Sequence, residues 1–253
     1  MNAELRKKIV DLFEYRQLPL LMELGQGTVD MEFYEHLLQL QAAIYHLDHE
    51  LETMWDVPMR LIDDRWAAIH LCLSTLGVPV ACHDNYCRHI YKYQRHELEL
   101  REQRFPMRLS MEYFYFYKSC DVKLLRKLIY DRYPSLHKEV KLSEWRVFDL
   151  ITEIDDDVED IYEDMHTING NRFLLSLLIH GKEKTADTYQ SYLSELGTRA
   201  NTVRQPLSRR MSVTVYKQTQ QLLAERLAAY DGQQLSQALI CKYIKPRLAV
   251  GES

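Results

Sequence analysis

Glu153-Ile154-Asp155-Asp156-Asp157-Val158-Glu159-Asp160 is the stretch that decides how this chain is read. About a hundred residues upstream it has a counterpart, Asp48-His49-Glu50-Leu51-Glu52. Laid on a helix, each places carboxylates one turn apart. Two such helices facing each other across a cavity can hold divalent cations between them.

Around the first stretch, Asp149, Glu153, Asp156, Asp157, Asp160 and Asp164 fall within an arc of roughly 100° at helical periodicity. Ile151, Ile154, Val158, Tyr162 and Met165 take the opposite side, with Asp155 and Glu159 flanking them. Like charges one turn apart repel by a few tenths of a kcal/mol per pair. No lysine or arginine interrupts positions 147–171. Such a helix either tolerates the repulsion as a solvated face or neutralises it with a cation. Magnesium, which takes hard oxygen ligands and is commonly shared with substrate phosphates, suits it. Upstream, Asp48, Glu52 and Asp56 stand at i, i+4 and i+8, with Gln41, Tyr45 and His49 near the same line. They border an apolar stripe of Leu40, Ile44, Leu47, Leu51 and Trp55, where a bundle's interior would begin.

The rest of the chain reads as helix. Only 8 glycines and 7 prolines punctuate 253 residues, and apolar periodicity runs between them. The pattern predicts helices over about 3–14, 30–56, 60–76, 83–104, 108–119, 121–132, 144–167, 171–180, 184–200, 206–230 and 233–244. Gly25-Gln26-Gly27 is read as a break, Ser143 as a cap, and the tail from Pro246 as loose. No repeat or linker appears, so the expectation is a single helical domain over 1–253.

The net charge of -5 gives no case for nucleic acid. No apolar run nears the ~18 residues of a membrane span, and none reads as a secretory signal. Five cysteines, Cys72, Cys82, Cys87, Cys120 and Cys241, make an odd count. Together these predict a reduced, cytoplasmic protein. Cys82, His83, Cys87 and His89 cluster, but their spacing matches no zinc pattern with a second ligand pair.

Glu153-x-x-Asp156-Asp157-x-x-Asp160 resembles the second aspartate-rich motif of trans-isoprenyl diphosphate synthases, in which a glutamine usually stands where Glu153 is. The run from Glu163 to Phe173 resembles the loop that follows that motif. Tyr117-Lys118-Ser119 resembles the family's Lys-Thr pair, whose lysine contacts diphosphate. Asp48-x-x-x-Glu52 resembles a degenerate first motif. The likeness covers about residues 30–180. The double aspartate of the first motif is missing, and so are the paired arginines after it, with only the separate Arg60 and Arg65 nearby. Those arginines seat the second diphosphate in chain elongation, so the resemblance is closer to class I terpene synthases, which share the fold and use one substrate.

The resemblance implies an all-α bundle of the isoprenoid-synthase type, often dimeric, that ionises a prenyl diphosphate with Mg2+ and cyclises or eliminates. It implies Asp48, Glu52, Asp156, Asp157 and Asp160 as metal ligands, and Lys118, Arg172 and Arg60 as diphosphate contacts. The carbocation left behind needs a dry cavity with π faces. Tyr113, in the run Tyr113-Phe114-Tyr115-Phe116-Tyr117, and Tyr45 are the wall candidates. Three alternatives stay open. One is chain elongation. Another is a carboxylate-bridged di-iron oxygenase using Glu163 and His166, with His46 and His49. The third is a helical binding protein without chemistry.

Overall fold

The computed structural model describes residues 1–102, 106–168 and 170–232. Among them there is no strand. The fold is all-α, as the scarcity of breakers predicts. No helix among the described residues is long and apolar enough to cross a membrane. The expected helix at 233–244 and the tail beyond it lie outside the described residues.

The chain groups into two compact units where a single domain was the expectation. Of the described residues, the first takes 1–94 and 120–142, and the second takes those of 95–119 and those from Ser143 to 232. The units are therefore interleaved in sequence.

The first unit begins with α1 (Ala3–Tyr15) and α2 (Leu18–Gln26), then the long α3 (Met31–Thr53) and α4 (Met59–Thr75). It also holds most of α5 (His83–Glu99), α7 (Cys120–Arg132) and the single turn α8 (Leu136–Glu139). Helix α3 is its spine and packs against α1, α4 and α7. Asp30 caps it by accepting from the Phe33 amide at 3.1 Å. It ends at Thr53, three residues short of expectation, so Asp56 lies off the helix. Sequence reading missed α2. Gly27 does end that helix, in the left-handed region at φ 87°. Gly25, however, lies inside the last turn, where a Cβ would meet Cβ and Cγ of Tyr133 at 2.7 Å. It is there for close approach, not as a breaker.

The second unit holds the end of α5, then α6 (Met111–Lys118), α9 (Arg146–Glu159), α10 (Arg172–Thr202) and α11 (Pro206–Ala228). Helix α9 is its centre, packed against α6, α10 and α11. It is shorter than the predicted 144–167. A 3-10 turn, Leu142–Trp145, leads into it, and Ser143 does not cap it. Asp160 is its C-cap, and Asp164 starts a separate 3-10 turn. The two helices expected at 171–180 and 184–200 form one span broken at Gly181, whose φ of 77° no helix accommodates.

Candidate functional site

Helix α9 carries most of its acids on buried faces, while Asp156 is half-buried and Glu159 and Asp160, at its C-terminal end, are exposed. Three neighbouring helices cover it, and Asp149, Glu153, Asp155 and Asp157 are each at most 9% exposed. A wet acidic face, the plainest reading of its sequence, is therefore overturned. Burying a carboxylate costs several kcal/mol unless charge and hydrogen bonds compensate it.

Asp157 shows how that compensation is built. One oxygen, Oδ1, takes the ammonium of Lys118 from α6. The other, Oδ2, accepts from the Tyr115 hydroxyl at 2.9 Å and from the Arg172 amide at 2.8 Å. That amide belongs to the first turn of α10, so the carboxylate also sits at the positive end of a helix. Tyr115 Oη in turn lies 2.8 Å from Tyr189 Oη. Burial, then the Asp157 charge, raises both tyrosine pKa values, so both hydroxyls stay protonated. Burial works against the charge on Lys118, but Asp157, Glu153 and Asp164 outweigh it and hold its pKa well above the usual lysine value. A fifth of the Lys118 side chain remains exposed, against none of Asp157.

The loop after α9 is fastened to this centre. Asn171 caps α10 by accepting from the Leu174 amide at 2.8 Å. Its amide group donates to the Asp157 carbonyl at 2.8 Å and to Asp164 Oδ2 at 2.7 Å. Asp156, Asp160 and Asp164 follow one another along the backbone, Asp160 N on Asp156 O and Asp164 N on Asp160 O. Desolvation first, then the charges of Asp164 and Asp156, push the Asp160 carboxyl up to about 7, against the pull of Lys118.

The other predicted residues divide by unit. Arg172 is 6% exposed. Its guanidinium donates to the Leu109 carbonyl at 2.8 Å and lies over the Phe114 ring. Tyr113 joins an aromatic group with Tyr117, at 4.5 Å between centroids, and His96 at 6.0 Å. Asp48, Glu52, Tyr45 and Arg60 belong to the first unit. There Asp48, Glu52 and Tyr45 are half-buried on α3, and Arg60 is exposed on α4. Lys8 lies over the Tyr45 ring. Glu163 is the N-cap of a 3-10 turn and His166 is that turn's last residue, so the two do not share an α-helix face.

Among the described residues no group of three or more His, Cys, Asp or Glu is arranged to hold a metal ion. The donor set fits magnesium in part. Asp156 and Asp160 are hard, crowded and at least partly exposed. Asp157 does not fit, since both its oxygens are taken within the protein. In the cysteine–histidine cluster, burial, then the charge of Asp84, pushes the Cys87 thiol up to about 12, and Cys82 is exposed.

Sequence reading missed Tyr189, Asn171 and Glu97. Glu97 is 2% exposed and accepts from the Gly170 amide at 3.1 Å. For Tyr189 no local signal exists, because it meets Tyr115 across 74 residues. For Asn171 there was one: Asn at the start of an apolar run is a helix-cap signature.

No protein-family model matches the chain, and neither a curated protein nor a solved structure matches it.

Proposed function

We propose that this chain is an isoprenoid-synthase-like enzyme that ionises a prenyl diphosphate and cyclises or eliminates, as class I terpene synthases do. The observation that carries this reading is the burial of the α9 carboxylates, with the half-buried Lys118 reaching them from α6. An acidic helix is not usually placed at the centre of a helical unit for solubility alone.

Lys118 is the diphosphate contact in this reading. Its ammonium keeps solvent access, and when it turns to a phosphate oxygen Asp157 keeps two donors, Tyr115 Oη and the Arg172 amide. Arg172 holds the start of α10 to Leu109 and so positions that amide. Asp156 and Asp160 would hold magnesium, which supplies Lewis-acid assistance to the leaving group when bound. Magnesium is commonly held by one or two carboxylates plus substrate phosphates, which fits a pair of acids better than a closed cage. Tyr113 and Tyr117 offer π faces to a cation.

The test is incubation with geranyl, farnesyl and geranylgeranyl diphosphates and magnesium, with and without isopentenyl diphosphate, followed by mass spectrometry. A hydrocarbon or alcohol formed without isopentenyl diphosphate, and lost in Lys118→Ala and Asp156→Ala, is the expected outcome. A longer diphosphate formed only with isopentenyl diphosphate would move the assignment to chain elongation. Iron in the purified protein would bring back the di-iron alternative.

One observation favours a second reading, a helical binding protein without chemistry. Asp157 is fully engaged inside the protein. Binding of a non-hydrolysable prenyl thiolodiphosphate with no turnover of any diphosphate would establish it.

A further inference from the structure

His70 on α4 and His83 at the start of α5 meet in the first unit. Their rings are parallel to within 5°, and their Nδ1 atoms are 3.2 Å apart. Each far nitrogen is anchored. His83 Nε2 lies 3.1 Å from the Val78 carbonyl oxygen, and His70 Nε2 lies 3.2 Å from Tyr91 Oη. A carbonyl can only accept, so neutral His83 carries its hydrogen on Nε2 and presents a bare lone pair at Nδ1. His83 is 4% exposed, so that lone pair has His70 before it and little water.

A histidine oriented by an oxygen on its far nitrogen is the arrangement found around protein-bound metal ions. Two nitrogens each about 2.0–2.1 Å from a tetrahedral ion stand roughly 3.3 Å apart. We infer that His70 and His83 form a two-imidazole clip for a late first-row transition-metal ion, held through both Nδ1 atoms. Imidazole suits copper, zinc and nickel, and copper(II) binds tightest of the three. The remaining coordination positions go to water.

Without metal, His70 Nδ1–H donates to His83 Nδ1, and Tyr91 Oη–H donates to His70 Nε2. When an ion takes both Nδ1 lone pairs, the His70 proton moves to Nε2 and is donated to the Tyr91 oxygen. The hydroxyl hydrogen turns to solvent, which Tyr91, 36% exposed, can reach. The pair neither gains nor loses a proton.

Trp66 supplies a local reporter. Its ring stacks on Tyr91 at 3.9 Å and lies 5.9 Å from the His70 ring. Titrating the full chain with copper(II) is expected to quench tryptophan fluorescence saturably at one equivalent, reversibly with EDTA. In Trp66→Phe the quench should largely vanish while calorimetry still registers the ion. Affinity should fall at least about ten-fold in His70→Gln and in His83→Gln. His70 is only half-buried, so His70→Gln keeps the fold and decides the matter even if the buried His83 variant does not. Wild-type copper affinity in a folded His70→Gln, or no saturable binding by the wild type, would overturn the clip.

Discussion

Lys118 and Asp157 are an unequal pair, one reaching solvent and the other fully enclosed. Removing the lysine leaves a buried carboxylate with two hydrogen-bond donors and without its ammonium partner. Breaking such a pair costs about 3–5 kcal/mol, and the partial exposure of Lys118 puts Lys118→Met near 3. Urea denaturation measures it, and a loss below about 1 kcal/mol, as for a surface pair, would refute the pairing. Asp160 has the opposite character. Its carboxyl is raised in the folded state from 3.8 to about 7. Between those values the folded protein holds a proton that the unfolded chain releases, so the stability this group contributes is complete at low pH and lost as pH rises towards 7. Asp160→Asn should therefore match wild type near pH 4 and exceed it above pH 7, read from urea midpoints across that window. A constant difference at every pH would contradict the shift. If magnesium binds at Asp160, adding it should lower this carboxyl's pKa in carbon NMR.

Element boundaries were legible wherever proline or glycine marked them. Helices α4, α7 and α11 fall close to their expected limits because Pro58, Gly77, Pro134 and Pro206 punctuate them. Helix α2 was hidden by Gly25, whose role is steric and visible only once Tyr133 is in place. The same contact makes a prediction. Gly25→Ala should cost about 2–3 kcal/mol, because the added methyl meets Cβ of Tyr133, which cannot swing aside. Alanine's better helix propensity returns only up to ~1 kcal/mol. A neutral or stabilising effect in thermal unfolding would show that α2 and Tyr133 do not approach so closely. The acidic residues of α9 were equally legible, and so was Lys118. Their burial was not, since covering the second face of α9 takes α11, whose Arg226 reaches the Glu159 carbonyl across 67 residues of sequence. Periodicity reports a helix's own faces and says nothing of how many neighbours it will have.

At the scale of the whole molecule, neither unit is one continuous piece of chain. The second takes residues 95–119, leaves the first to complete itself with 120–142, and resumes at Ser143. A fragment beginning at Ser143 would keep α9, α10 and α11 and lose α6, with the Lys118 and Tyr115 that hold Asp157. It is expected to show poor helicity by circular dichroism, recovering when a peptide of residues 95–119 is added. Native-like helicity in the fragment alone would show that α6 is dispensable. The interleaving also sets an order of events during synthesis. Lys118 leaves the ribosome 39 residues ahead of Asp157. At about 5–20 residues per second, the aromatic run ending at Tyr117 waits roughly 2–8 seconds before the helix that covers it has been made. For that interval a nascent chain carries five consecutive aromatic side chains without the helix that covers them in the finished fold, the kind of segment a chaperone recognises.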